Sequence, residues 1–270
     1  MEFWQALILA IIEGLTEYLP VSSTGHIILG SAFMGIESHA FVKDYTVIVQ
    51  FGAILSVLVV YRDRIISALK RGPRVFWLLF VSFLPAAFFG LLLGKRIDIL
   101  LGDVTVVGWS LLTGGIVLLG LDRLGKKFED HSRSQNALDI PYKDGVLIGL
   151  AQCLALVPGV SRSAASIAGA LALGFSRKTA AEFSFFLAVP TLTAATAYKL
   201  LKMGPSLSSE TLPLLLVGNL VSFVVGILAI KSFIGFLEKR GFFWFGIYRI
   251  IIGAAILAFV LSGHSLKMLD

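Results

Sequence analysis

Glu13 and Glu17 stand four residues apart near the start of the chain, a spacing that puts both carboxylates on one face of a helix. Pro20 ends that helix, and Ser22-Ser23-Thr24 follow it, then Gly25 and the imidazole of His26. Hydroxyls just after a break suit the N-terminus of a new helix, where free N–H groups attract anions. A second polar island, Val157-Pro158-Gly159-Val160-Ser161-Arg162-Ser163, has the same plan with a guanidinium added. Arg162 forks onto phosphate or carboxylate, so its alternatives are an anion ligand or an ion pair with Glu13 or Glu17. Together the islands suit hydrolysis of a phosphate anhydride. Arginine and N–H groups would hold phosphate, carboxylates a divalent cation, and His or Ser would attack or shuttle a proton.

The elements that carry these groups are set by an apolar chain. Of 270 residues, 57% are hydrophobic and 15% charged, with mean hydropathy +0.88. Soluble domains average about 25% charged residues, so the composition is that of a polytopic membrane protein. Apolar runs near 20 residues indicate helices. One cysteine, Cys153, excludes an internal disulfide. The net charge of +6 does not indicate nucleic acid, because Lys and Arg gather in short loops as topology signals do. The first apolar run lacks a basic leader and is interrupted by its two glutamates, so it does not read as a cleavable signal. There is no Walker loop, HExxH or Cys/His cluster to support ATP-driven transport or zinc chemistry.

The expected architecture is a single all-α membrane domain over residues 1–270, made of two re-entrant helix pairs and six transmembrane helices. Residues 2–29 form the first pair, broken at Pro20. Spans follow at 45–61, 75–94 and 104–121, and residues 122–143 are the polar boundary between halves. Residues 144–173 form the second pair, followed by spans at 182–200, 212–230 and 243–261. Pro20 and Pro158 are 138 apart; Tyr61-Arg62 and Tyr198-Lys199 are 137 apart. Val81, Leu84, Gly90, Leu92 and Lys95 recur 136 residues on as Val217, Leu220, Gly226, Leu228 and Lys231. The expected repeats are about 1–130 and 136–270. A re-entrant pair plus three spans crosses an odd number of times, so the repeats must be inverted. With 62–74, 122–143, 174–181 and 231–240 inside, those segments hold 15 Lys and Arg; the outer segments 31–44, 95–103, 199–211 and 263–270 hold 6.

Other polar residues carry weaker signals. Gln50 either faces the site or bonds to a neighbouring helix. Ser184 either lines a cavity or bonds back to its own helix. Glu182 is expected to pair with Arg177 or Lys178, and Arg249 to snorkel to an interface. His39, His131 and His264 read as solvated loop residues, and Gly114-Gly115 and Gly253 as helix packing.

At the two islands the sequence resembles the bacterial undecaprenyl-diphosphate phosphatase family, also called bacitracin resistance protein. Residues 13–26, EGLTEYLPVSSTGH, and 158–163, PGVSRS, look like its two signatures. Gln152-Cys153-Leu154-Ala155-Leu156 and Glu182-Phe183-Ser184-Phe185 extend the likeness, which runs from about residue 8 to about 255. The resemblance implies hydrolysis of undecaprenyl diphosphate to undecaprenyl phosphate and phosphate, recycling the carrier for cell-envelope synthesis. It implies Mg2+ or Ca2+, with Glu13 and Glu17 as the acidic pair and His26 as the essential histidine. Ser23 is the implied nucleophile, with His26 or water as the competing attackers. Arg162, Ser161 and Ser163 would grip the phosphates, with Ser22, Thr24, Ser166 and Gln50 as further contacts. Ala164 stands where the family often has glycine. The resemblance places the protein in the bacterial cytoplasmic membrane among its lipids, and the loop charges lead to the expectation of a site reached from the outer face. It leaves room for a homodimer, and implies that bacitracin competes for the substrate rather than binding the protein. The competing reading is an inverted-repeat transporter or flippase for a lipid phosphate or another anion, since such folds also set broken helices at the midplane.

Overall fold

The computed structural model describes residues 1–36, 40–101, 103–127, 133–134, 136–203 and 208–262. His39, His131 and His264 lie outside the described residues. Eleven α-helices and no strands are present among the described residues. They are α1 (Phe3–Thr16), α2 (Ser23–Phe33), α3 (Ala40–Val60), α4 (Arg62–Lys70), α5 (Arg74–Leu101) and α6 (Val104–Lys127). After the polar stretch come α7 (Tyr142–Gln152), α8 (Arg162–Ala172), α9 (Arg177–Met203), α10 (Thr211–Arg240) and α11 (Phe243–Leu261). Six of them, α3, α5, α6, α9, α10 and α11, are long and apolar enough to cross a membrane. The other four apart from α4 have 14 residues or fewer. At about 1.5 Å per residue none of those crosses a hydrocarbon core of about 30 Å alone.

Two features depart from the sequence reading. Arg62–Lys70, expected as a basic loop, is a helix, α4. Asp63 in its first turn and Lys70 in its last agree with the helix dipole, and Ala68 is buried while Arg62 and Asp63 stay exposed. The spans also outrun their apolar stretches: α10 has 30 residues where 212–230 was expected. An apolar run marks the part of a helix in lipid, and the helix continues into the aqueous boundary on charged residues such as Lys239 and Arg240.

Each short helix before a break packs on a long helix from the other half of the chain: α1 lies along α10, and α7 along α5. α3 packs on both α9 and α10, and α6 pairs with α11. The largest core is aromatic. Tyr18, at the first break, packs edge-on against Phe185 of α9, with Phe183, Phe186 and Phe233 buried around them. The Tyr18 hydroxyl donates to the Ala53 carbonyl of α3. The first break is therefore anchored in packed protein, which backbone without helical hydrogen bonds requires at membrane depth.

Candidate active site

The two breaks are built alike. In the first, α1 stops at Glu17 and the chain turns through Pro20 to Ser22. In the second, α7 tightens into a 3-10 turn, Cys153–Leu156, and runs through Pro158 and Gly159 to Ser161. Ser22 and Ser161 have φ of 71° and 77°, and no other non-glycine residue among those described has a positive φ. Such a conformation costs about 1–3 kcal/mol and must be held by its surroundings. Each of the two serines caps the helix that follows. Ser22 Oγ accepts from the Gly25 N–H at 3.4 Å, and Ser161 Oγ from the Ala164 N–H at 3.2 Å. The starts of α2 and α8 thus face a shared space.

That space is a cavity of about 200 Å³. Its polar wall includes Glu17, Ser22, Ser23, Thr24, Ser161 and Arg162, and its apolar wall Ala86, Ala155, Leu156 and Leu192. Glu17 is the meeting point. Ser23 Oγ donates to Glu17 Oε2 at 2.8 Å, and Arg162 Nε donates to Glu17 Oε1 at 3.1 Å. Arg162 Nη2 also donates to the Glu17 carbonyl at 3.4 Å. Both partners of this ion pair are almost wholly buried. Removing one partner of such a pair costs about 3–5 kcal/mol, because the other charge is left without compensation. The Arg162 ion pair weighed from sequence is present, and Arg162 lines the cavity as well.

The second-island hydroxyls divide their work. Ser163 Oγ donates to the Leu19 carbonyl at 2.8 Å, so Ser161 Oγ must be the donor in its 3.0 Å contact with Ser163 Oγ. Ser166 Oγ bonds to Ser184 Oγ at 2.8 Å, and Ser184 in turn accepts from Arg162 Nη1 through its carbonyl at 2.9 Å. Ser163 and Ser166 were expected as phosphate contacts. They are fully buried and absent from the cavity lining; Ser163 joins the two breaks and Ser166 supports the helix that holds Arg162. Ser184 likewise neither lines the cavity nor merely bonds to its own helix. Ala164 is also outside the lining, so its methyl does not meet the cavity.

His26 is not brought to Glu17 and Arg162. Its Nδ1 lies 2.8 Å from the Ser22 carbonyl, which can only accept, so Nδ1 carries a hydrogen. In the neutral ring Nε2 then accepts from the Tyr248 hydroxyl at 2.6 Å, and the two rings stack with centroids 5.5 Å apart. Both nitrogens are engaged, and His26 is absent from the cavity lining.

Glu13 lies behind Glu17. Its carboxyl packs against those of Glu17 and the amide of Gln50, which lines the cavity. Glu13 Oε1 is buried and has no hydrogen-bond partner among the described residues. An orphaned acceptor beside a second carboxylate fits a hard divalent cation, which takes oxygen ligands. No group of three or more His, Cys, Asp or Glu gathers among the described residues. A cation here would draw its remaining oxygens from elsewhere, as Mg2+ does when one or two carboxylates and phosphates hold it.

Arg249 was expected at an interface and is instead fully buried. Its Nη1 donates to the Pro20 carbonyl at 3.1 Å, and Nη2 to those of Ser110 and Gly159, each at 3.0 Å. Nε reaches the Leu111 carbonyl at 3.4 Å. One guanidinium therefore fastens both breaks to α6. Gly114 makes room for it, since a Cβ there would collide with Nη2. Gly159 has φ 89°, and a Cβ there would meet the Val107 carbonyl at 2.8 Å. No carboxylate pairs with Arg249 among the described residues, so its charge is uncompensated behind the cavity wall. The sequence held a signal for this. Of 23 Lys and Arg, only Arg162 and Arg249 fall outside the eight loop segments. Glu182 is also repartnered: it is buried and accepts from Arg64 Nη1 at 2.6 Å, while Arg177 pairs with Asp122 and Lys178 with Glu238.

Known proteins match this chain over its whole length. The sequence profile described as bacitracin resistance protein BacA matches residues 6–255. The chain is 48% identical to the undecaprenyl-diphosphatase of Bdellovibrio bacteriovorus, covering 99% of this chain and 100% of that one. It is 47% identical to the undecaprenyl-diphosphatase of Flavobacterium psychrophilum, with both chains fully covered. The corresponding protein of Aquifex aeolicus is 40% identical over 97% of this chain and 100% of its own.

Proposed function

The chain belongs to the bacitracin resistance protein BacA family, and we propose that it hydrolyses undecaprenyl diphosphate in the cavity between its two chain breaks, with Ser23 as nucleophile. The observation that carries this reading is the double engagement of Glu17 by Ser23 Oγ and Arg162 Nε. A nucleophile within hydrogen-bond reach of a base, oriented by a third group, is the signature of covalent catalysis.

The diphosphate enters between the starts of α2 and α8, whose free N–H groups and the Arg162 guanidinium bind its oxygens. Arg249 adds positive potential from behind Gly159. The apolar wall of Ala86, Ala155, Leu156 and Leu192 gives the prenyl chain its path. Ser23 Oγ attacks the terminal phosphorus and passes its proton to Glu17. The bond to the bridging oxygen breaks, undecaprenyl phosphate leaves, and water hydrolyses the phosphoserine to release phosphate. Glu13 and Glu17 would hold Mg2+ or Ca2+, which when bound offsets phosphate charge. His26 acts by placement: it braces the Ser22 turn against α11 through Tyr248.

The two halves are best read as inverted repeats. The caps at Ser22 and Ser161, 139 residues apart, and the crosswise packing of α1 on α10 and α7 on α5 support this. Loop charge supports a cytoplasmic face at 62–74 and both termini outside, which opens the site to the outer face of a bacterial inner membrane. Rapid return of the carrier phosphate would counter bacitracin by removing the lipid diphosphate it sequesters.

The test is phosphate release from undecaprenyl diphosphate by purified protein in detergent with Mg2+, using substrate made chiral at the terminal phosphorus. A phosphoserine intermediate gives retention of configuration. Inversion would contradict Ser23 as nucleophile, and lipid translocation in vesicles without phosphate release would favour a transporter.

A further inference from the structure

Gln152, at the end of α7, is 2% exposed and lines the cavity. Its carboxamide is oriented by a chain of donors. Thr191 Oγ1 donates its only hydrogen to the Leu187 carbonyl at 2.8 Å. What Thr191 offers Gln152 at 3.2 Å is therefore a lone pair, and the amide nitrogen must face it. This fixes Oε1 as the opposite end. Gln152 Oε1 is buried and has no hydrogen-bond partner among the described residues. Leaving such an acceptor without a donor costs about 1–3 kcal/mol.

Glu13 Oε1, from the other break, is in the same condition. Gln152 Oε1 thus comes from the second break to the cavity that Glu17 lines, and Glu13 Oε1 lies behind Glu17. We propose that Gln152 Oε1 is a neutral oxygen ligand of the divalent cation that Glu13 and Glu17 hold, with Thr191 as the residue that positions it. Side-chain amide oxygens are ordinary ligands for hard cations. A neutral ligand completes the cation's oxygen shell without adding negative charge where a diphosphate must bind. The inference rests on the cation reading given above, and the second half thereby contributes to the metal as well as to the phosphate.

The experiment measures Mn2+ binding to the full-length protein in detergent without lipid substrate, by the electron paramagnetic resonance signal of the free ion, with Mg2+ as competitor. Gln152→Leu should weaken the Kd about tenfold or more, on the scale of losses at metal-supporting residues. Gln152→Glu, nearly isosteric, should bind about tenfold more tightly than the wild type. Thr191→Val frees the amide to turn and should fall between wild type and Gln152→Leu. If Gln152→Leu does not fold, Gln152→Glu decides the question: a carboxylate on the cation must tighten the Kd about tenfold, and an unchanged Kd overturns the proposal. If Glu13→Gln weakens Mn2+ while both Gln152 variants leave the Kd unchanged, Gln152 is not a ligand and the cation reading stands. If the wild type binds no Mn2+, or Glu13→Gln has no effect, the cation reading fails and this inference with it.

Discussion

Arg162 and Glu17, 145 residues apart in sequence, meet at 3.1 Å with both side chains almost wholly buried. The contact crosses between the two chain breaks, and Ser23 bonds to the other oxygen of the same carboxylate. Glu17 is thus shared between the hydroxyl proposed to attack and the guanidinium proposed to bind phosphate. Neither break holds a complete site by itself.

A planar fork is needed at position 162. Nε and Nη2 reach two oxygens of Glu17 while Nη1 reaches Ser184. Lysine keeps the charge but cannot span these partners. Arg162→Lys should lower kcat for phosphate release about 10²–10³-fold, the range for loss of a charge-stabilising donor. Near-normal turnover would show that a point charge suffices.

Ser166 should prove a scaffold rather than a phosphate ligand. Its hydroxyl bonds to Ser184, which holds Arg162. Ser166→Ala should lower thermal stability by about 1 kcal/mol, the net worth of one hydrogen bond, with KM for the lipid diphosphate unchanged. A KM raised tenfold or more with stability intact would return Ser166 to the binding surface.

Arg249 ties together carbonyls from three segments, so its loss should unseat both breaks at once. Arg249→Met should destabilise the detergent-solubilised protein by about 3 kcal/mol or more and abolish hydrolysis, because each charged hydrogen bond contributes about 1.5–3 kcal/mol. A melting temperature within error of the wild type would contradict the clamp.

His26 and Tyr248 should behave as one unit. Tyr248→Phe keeps the stacked ring and removes the donor to Nε2, and should slow hydrolysis about tenfold or less. Added to His26→Ala it should cost little more, because contacting residues are not additive. Full multiplication of the two losses would mean that His26 acts independently of Tyr248.

The breaks were legible because polar residues are dense there and the surroundings are apolar, so Glu17, Ser23 and Arg162 stood out as a group. The six spans were legible for the converse reason, their uninterrupted hydropathy. Gln152, Thr191 and Ser184 were not, because a single polar residue on a span looks the same whether it faces a cavity or a neighbouring helix. His26 was expected at the site from its neighbours in sequence, and the structure sets it outside the cavity lining, against Tyr248. Its partner, Tyr248, lies 222 residues away and carries no motif. Arg249 was mistaken for an interfacial group because snorkelling is the common fate of arginine near a span's end. Only the count of charges outside the loops sets it beside Arg162. Arg62–Lys70 hid its helix because basic residues at a membrane boundary read as a topology signal whatever their conformation.

The central claim is that both breaks form one catalytic unit around Glu17. A double-mutant cycle on phosphate release, comparing Glu17→Gln, Arg162→Lys and the pair, tests it most directly. Each single change should cost about 10²-fold or more, and the pair no more than the worse of the two. Losses that multiply in full would show that Glu17 and Arg162 act at separate places, and the shared site would be wrong.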